Sequence, residues 1–337
     1  MADGFKKLPG VVAQRVFRAA FPLVRRLYYD VANQFGFGDL YTQEMMLADK
    51  VRVDAYQAAI ERHVREGDVV IDLGTGTGIL AFLAAARLPA KVYAIDHSTM
   101  LDVATKVRDA NGLTRVELLK VNSRKLDLPE KVDVIIQEQM GHALFDEQMV
   151  LNVVDLRDRL LKPGGRILPA RFDLFLDPVQ LKDEYAVPFA WEQVIHGVDF
   201  GVLAGLHAST APDYNVKLLA QSEYDHFLCD SEPVLSFDLE TVNPRDLART
   251  FRFRRPVRVP GRVDGICIHF TAHFDDDISI STSPFAARTC WKVPILRCTA
   301  RTYEAGEVVE LKLEAPDLAN VRTWRWQVEA AAGPGRR

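Results

Sequence analysis

The sequence predicts an α/β protein: an open, doubly wound parallel sheet in the first half, followed by a strand-rich second half. Three observations carry this. Short apolar runs alternate with helix-period segments between residues 68 and 161, the pattern of strands joined by crossover helices. A glycine-rich turn, residues 74–78, follows the first of these runs directly. Beyond about residue 170 the helical segments stop and strand-like runs follow one another.

Taken in order, residues 5–29 mix apolar side chains with Arg15, Arg18, Arg25 and Arg26. The arginines interrupt any secretory h-region, so the segment reads as an amphipathic helix packed on the body or on a second subunit. Residues 40–66 carry apolar residues at helical spacing and stop at Gly67, giving one or two helices. The runs 68–74, 91–96, 115–121 and 131–138 read as strands, with helices over 79–88, 98–111 and 146–161. Leu161-Lys162-Pro163-Gly164-Gly165 then reads as a tight turn. The later runs FDLFLDP, VLSFDLETV, TFRFRRPVRV, ICIHFTAHF, SISTS, KVPILRC, VVELKLEA and WRWQVEA are strand-like, and residues 183–215 form a more helical interruption. The expected division is 1–66, 67–170 and 171–337.

Composition excludes more than it assigns. With 337 residues, 48% of them hydrophobic, the chain can bury a substantial core. A formal charge of −4 gives no global attraction to nucleic acid or to an anionic membrane. No apolar run approaches the roughly 20 residues that span a bilayer. Cys229, Cys267, Cys290 and Cys298 contain no CxxC pair, which argues for reduced thiols in a cytoplasmic protein and against a metal framework. In residues 249–255 arginine alternates with phenylalanine, placing phenylalanines in a core and arginines at the surface. His269 and His273 read as surface residues of a strand.

The glycine turn points to a ligand. Gly74, Gly76 and Gly78 allow the backbone angles of a strand-to-helix turn and close approach of a ligand. The third glycine comes two residues after the second, where a dinucleotide fingerprint has it three after. Asp72 precedes the loop, and Asp96 ends the second strand, where a carboxylate accepts hydrogen bonds from ribose hydroxyls. This block points to S-adenosylmethionine in a Rossmann-like domain. The next strand ends at Glu138, and Glu147 follows nine residues later, past a turn at Gly141. Two carboxylates match the planar donor fork of a guanidinium; solvated surface glutamates are the alternative.

These residues resemble the protein arginine methyltransferases, whose double-glutamate loop places its second Glu nine residues after the first. The segment Met46-Leu47-Ala48-Asp49-Lys50-Val51-Arg52 is similar to the family's leading helix, and Leu161–Gly165, Ser281–Pro284 and Thr289-Cys290-Trp291 follow the family order. The resemblance covers roughly residues 28–315. It implies a β-barrel after the cofactor domain and a helical dimerisation arm, with residues 183–215 as candidate and a homodimer as the assembly. It further implies Glu138 and Glu147 as the catalytic clamp, Arg52 on the cofactor carboxylate, and Met46 and Ser123 in the cofactor pocket. Tyr28, Tyr29, Gln139, Met140, His142, Cys290 and Trp291 would line the substrate pocket. The chain departs from the pattern at Ala32, Gln43, Gln139, His142 and Cys290. Arg124 stands where an acidic residue usually reads the adenine amine.

The expected function is N-methylation of a guanidino group, on free arginine or a small relative in preference to an arginine of a peptide, because the surround of the glutamates is rebuilt. Methylation of another natural-product amine, hydroxyl or carbon is the second reading. A catalytically silent partner of a methyltransferase is the third.

Overall fold

The computed structural model describes residues 39–203 and 214–331. The helix expected over residues 5–29 lies outside them, and Tyr28, Tyr29 and Ala32 with it. Helices α1 (Leu40–Ala48) and α2 (Lys50–His63) lead into the first sheet. One continuous apolar period is split there because Asp49 leaves helical geometry and its carboxylate caps α2, accepting from the Arg52 N–H at 3.0 Å.

The sheet alternates as expected: β1 (Val69–Leu73), α3 (Ile79–Ala85), β2 (Lys91–Asp96), α4 (Met100–Ala110), β3 (Val116–Lys120), β4 (Val132–Gln137), α5 (Met149–Leu160) and β5 (Leu161–Leu168). The strands are parallel in the order β3-β2-β1-β4-β5. Strands of such a sheet are covered on both faces and read as continuous apolar runs; Val70, Ile71, Val92, Ile135 and Ile136 are fully buried accordingly. The order reverses between β1 and β4, which opens a crevice at their carboxyl ends. The turn expected at 161–165 is instead absorbed into β5. Pairing with β4 jumps from Val132↔Leu161 to Val134↔Arg166, so Pro163 and Gly164, the latter at φ 76°, sit in a bulge.

The second half is antiparallel. Its strands are β6 (Arg171–Leu181), β7 (Val194–Ile195), β8 (Val198–Asp199), β9 (Val216–Leu219), β10 (Tyr224–Phe227), β11 (Pro233–Asp238), β12 (Thr250–Pro256), β13 (Gly261–His273), β14 (Ser279–Ser281), β15 (Val293–Tyr303), β16 (Val308–Glu314) and β17 (Arg325–Ala331). A seven-stranded sheet, with the path β10-β6-β13-β15-β9, and a three-stranded sheet, β12-β16-β17, form the barrel-like domain. Its apolar core is continuous with that of the first half, running from Tyr56 and Ile135 to Phe270 and Leu313.

Two readings of this half are corrected. In β12 the in-out alternation continues to Arg255, which falls on the inward face with Phe251 and Phe253, and its Nη1 pairs with buried Asp177 at 2.6 Å. His269 is buried too: its Nε2 meets Asp177 at 2.8 Å and its ring stacks on Phe175 and Phe227. Burial of one charge recruits the others, because an unpaired carboxylate at Asp177 would be very costly. The arm segment shows 3-10 turns at Asp183–Tyr185, Ala190–Glu192 and Gly201–Leu203 and the β7–β8 hairpin. Residues 204–213 of the arm lie outside the described ones.

Candidate functional site

A cleft enclosing about 1030 Å³ of empty space, open solvent at its mouth included, crosses the carboxyl ends of β4, β1, β2 and β3. Met46, Arg52, Gly74, Gly76, Asp96, Ser123, Glu138, Gln139 and Glu147 all line it. Topology explains the convergence, since each comes from the end of a strand, from the loop that follows it or from a helix packed over those ends.

The glycine loop is held from beneath. Asp72, 1% exposed, accepts from Thr75 Oγ1 at 2.6 Å and from the Ala81 N–H at 3.1 Å. Burial pushes its carboxyl up to about 6. Asp72 therefore does not line the cleft, contrary to its assignment as a cofactor ligand; it ties the loop to the first turn of α3. Gly78 also lies behind the lining, at φ 94°, where a Cβ would stand 2.3 Å from the Phe82 ring. At Gly76 a Cβ would meet Gln43 Oε1 at 2.9 Å. Gly76 and Gly78 thus leave no room for a side chain, whereas a Cβ at Gly74 would make only ordinary contact with Gln139. Asp96 spans the Gly76 and Ser98 N–H groups at 2.9 and 2.7 Å. Its oxygens have lone pairs left for further donors.

At the β4 end the charges are concentrated. Arg52 is 6% exposed; its Nη1 pairs with Glu138 Oε2 at 2.9 Å and its Nη2 donates to the Met46 carbonyl at 2.8 Å. Its Nε is buried without a partner, a donor waiting for an acceptor at the cleft wall. Burial pushes Glu138 up to about 7, with Arg52 opposing and Asp49 and Asp72 adding to the rise. Burial also drives Glu147 well above the usual carboxylate range, reinforced by Glu138 and Asp146. Arg52 opposes the rise at both glutamates, and a second cation placed between them would act in the same direction.

The frame around the glutamates was not legible from spacing. The Gln137 carbonyl accepts from Tyr56 Oη at 2.7 Å, and its side chain bridges Pro169 O and the Gln139 N–H. Asn152 reaches Gln139 Oε1 at 3.2 Å and the Glu147 carbonyl at 3.4 Å. An amide among the buried apolar residues of helix 149–160 is the one signal that pointed to it. Asp49 uses its second oxygen on the Cys290 N–H at 2.7 Å, which joins α2 to the barrel.

Four expected substrate-pocket residues stand outside the cleft. Met140 is a core side chain, 2% exposed, and only its carbonyl is engaged, by Trp291 Nε1 at 2.8 Å. Trp291 packs edge-on against Phe270 and so fastens the loop to the barrel. His142 accepts from the Lys292 N–H at 3.1 Å and faces a separate groove with Asp146, Leu218 and Arg322. Cys290 lies near Arg52, but burial pushes its thiol up to about 12, which leaves it protonated and unsuited to nucleophilic attack. Among the described residues no group of three or more His, Cys, Asp or Glu is placed to hold a metal ion. None of the described helices is long and apolar enough to cross a membrane.

S-adenosylmethionine fits this cleft on three counts. Arg52 offers an unpaired buried donor for its carboxylate, Asp96 stands at the β2 end for its ribose, and Gly74 and Gly76 present bare backbone between them.

Comparison with known proteins agrees. A family model described as "Methyltransferase domain" matches residues 65–209, and one described as "Arginine methyltransferase oligomerization subdomain" matches residues 171–329. The chain is 33% identical over 289 residues to protein arginine N-methyltransferase 6 of Danio rerio, covering 80% of this chain and 78% of that protein. Protein arginine methyltransferase 10 of Arabidopsis thaliana superposes with a TM-score of 0.72 at 28% identity, over 88% of this chain and 93% of that one. The Trypanosoma brucei PRMT1 enzyme-prozyme complex with AdoHcy shares the fold, with a TM-score of 0.75 at 24% identity over 89% and 95% of the chains.

Proposed function

The chain belongs to the protein arginine methyltransferases and is an S-adenosylmethionine-dependent methyltransferase, and from this we propose that it methylates the guanidino group of arginine in proteins. The observation that carries the proposal is the pair Glu138 and Glu147 on the wall of the cofactor cleft, beside Arg52. The lean toward free arginine or a small metabolite finds no support: the relatives' names specify protein arginine. Of the rebuilt positions that prompted it, Gln43 and Gln139 line the cleft whereas His142 and Cys290 do not.

Bound S-adenosylmethionine supplies an electrophilic methyl group. Arg52 would hold its carboxylate and Asp96 its ribose, with the Gly74–Gly78 loop between them. Glu138 and Glu147 accept hydrogen bonds from the substrate guanidinium, fix its plane and draw positive charge toward themselves. The nitrogen that gains the methyl must lose a proton. Glu147, whose carboxyl favours the proton through burial and the neighbouring Glu138 and Asp146, takes it. Arg52 shares Glu138 with the substrate, so the same guanidinium orients both reaction partners. The retained clamp, cradle and Asp96 disfavour the silent-partner reading.

The proposed division remains 1–66 over the cofactor, 67–170 binding it and 171–337 receiving substrate, with a homodimer formed through the 183–215 arm. Free thiols at all four cysteines support the cytoplasm as its location. The test is transfer from methyl-labelled cofactor to arginine-containing peptides and to free arginine, read by mass spectrometry. Methylated guanidine in peptide is expected. Labelling of free arginine alone, or of another atom, overturns the reading.

A further inference from the structure

The strand order places the ends of a bound ligand. The cleft runs from the β4 end with Glu138, past the β1 glycine loop and the β2 end with Asp96, to the turn after β3. A nucleoside whose ribose meets Asp96 and whose amino-acid end meets Arg52 must therefore lay its base against residues 121–124. The Val121 N–H donates to the Asp96 carbonyl at 3.0 Å, so that turn is the immediate neighbour of the ribose position.

The polar inventory of this end is unusual for an adenine site. Adenine presents an amine donor at its six-position, which calls for an acceptor. The cleft's carboxylates are Asp96, Glu138 and Glu147 among the described lining residues, and none lies beyond β2. Asn122 Oδ1 already receives the Arg124 N–H at 3.1 Å and Arg124 Nε at 3.3 Å. The Ser123 carbonyl accepts from Arg159 Nη2 at 2.9 Å, and Arg159 also holds the Leu126 carbonyl at 2.7 Å. The turn is thereby fastened to α5, with Asn122 Oδ1 and the Ser123 carbonyl engaged within the protein. His97 also faces the cleft, but an imidazole donates or accepts according to tautomer and imposes no sign. Arg124 does impose one: a guanidinium has donors only and keeps its charge at any working pH.

We infer that Arg124 is a specificity-determining residue that makes the base end of the cleft a donor site, which accepts a six-oxo purine as readily as a six-amino one. This rests on the cofactor reading above. Arg124 donates to ring nitrogens or to a six-position oxygen, and the exocyclic amine contributes nothing there.

Isothermal titration of the full chain with S-adenosylhomocysteine and S-inosylhomocysteine tests it, on wild type, Arg124→Glu and Arg124→Gln. Wild type is expected to favour the amino compound by less than about threefold, and Arg124→Glu to shift the ratio toward it by about tenfold or more, the value of one good hydrogen bond gained and one mismatch made. Arg124→Gln, which has both a donor and an acceptor, should fall between and serves where the glutamate variant does not fold. A wild-type preference for the amino compound above about threefold, or a ratio that neither variant moves, overturns the assignment. Binding of neither compound to wild type overturns the cofactor reading itself, which separates the two failures.

Discussion

Replacing Asp49 by alanine tests how the cleft is assembled. Its carboxylate, 7% exposed, serves two donors at once: the Arg52 N–H at 3.0 Å as the cap of α2, and the Cys290 N–H at 2.7 Å from the barrel. Loss of a helix cap costs about 1 kcal/mol. Stranding a partly buried N–H costs about 1 to 2 kcal/mol more, for roughly 2 to 3 kcal/mol in total. With an unfolding entropy of about 2.1 cal/mol/K per residue over 337 residues, this lowers the melting temperature by about 3 to 4 °C. Calorimetry of the wild type, Asp49→Ala and Asp49→Asn reads the effect, and the asparagine should recover about half, since its one oxygen keeps the cap. Because the first turn of α2 carries Arg52, S-adenosylhomocysteine should also bind more weakly to Asp49→Ala. An alanine variant that melts within about 1 °C of wild type and binds the nucleoside unchanged would refute the bridging role.

Four more outcomes are expected. A guanidinium binds the ionised clamp, and Glu138 is held up at about 7 with Glu147 also raised well above the usual carboxylate range, so kcat/KM for a peptide should rise with pH from about 6 upward; a flat profile contradicts this. The same raised value means stability present below the ordinary Glu range is lost as pH rises through about 7, so Glu138→Gln should gain on wild type by up to about 3 kcal/mol between about pH 5 and 8, measured by denaturation at both. Trp291→Phe removes the Nε1–H bond to the Met140 carbonyl; a loss of about 1 to 2 kcal/mol in urea denaturation is expected, with peptide KM raised because the glutamate loop loses its fastening to the barrel. Gly78→Ala, forced into φ 94° with its Cβ against Phe82, should cost about 1 kcal/mol or more and abolish tight nucleoside binding in the same titration.

What could be read from the sequence was what local chemistry dictates. Periodicity gave the first four parallel strands to within one residue at each end, because all are bounded by turns and β1, β2 and β4 are largely buried, while the Pro-Gly-Gly of β5 read as a turn. The glycine loop, Asp96 and Glu138 were legible because a parallel sheet exposes its ligands at strand ends. Long-range partners were not. Nothing in the spacing said that Asp49 reaches Cys290, that Arg52 pairs with Glu138, or that Trp291 hangs from Met140. Arg255 and His269 were misplaced for the same reason: a buried partner, Asp177, overrides the polar-outward rule. Asp72 and Gly78 were assigned to the ligand because they flank it in sequence, whereas the turn places them one layer beneath.

The central claim is that Glu147, with Glu138, holds the arginine guanidinium while the methyl arrives. Single-turnover transfer from labelled cofactor to an arginine peptide, compared between wild type and Glu147→Gln alongside the S-adenosylhomocysteine dissociation constant, tests it most directly. The account predicts a guanidino-methylated product from wild type and a rate lowered by about 100-fold or more in the variant, with nucleoside affinity within about threefold. Transfer by Glu147→Gln at the wild-type rate would contradict it.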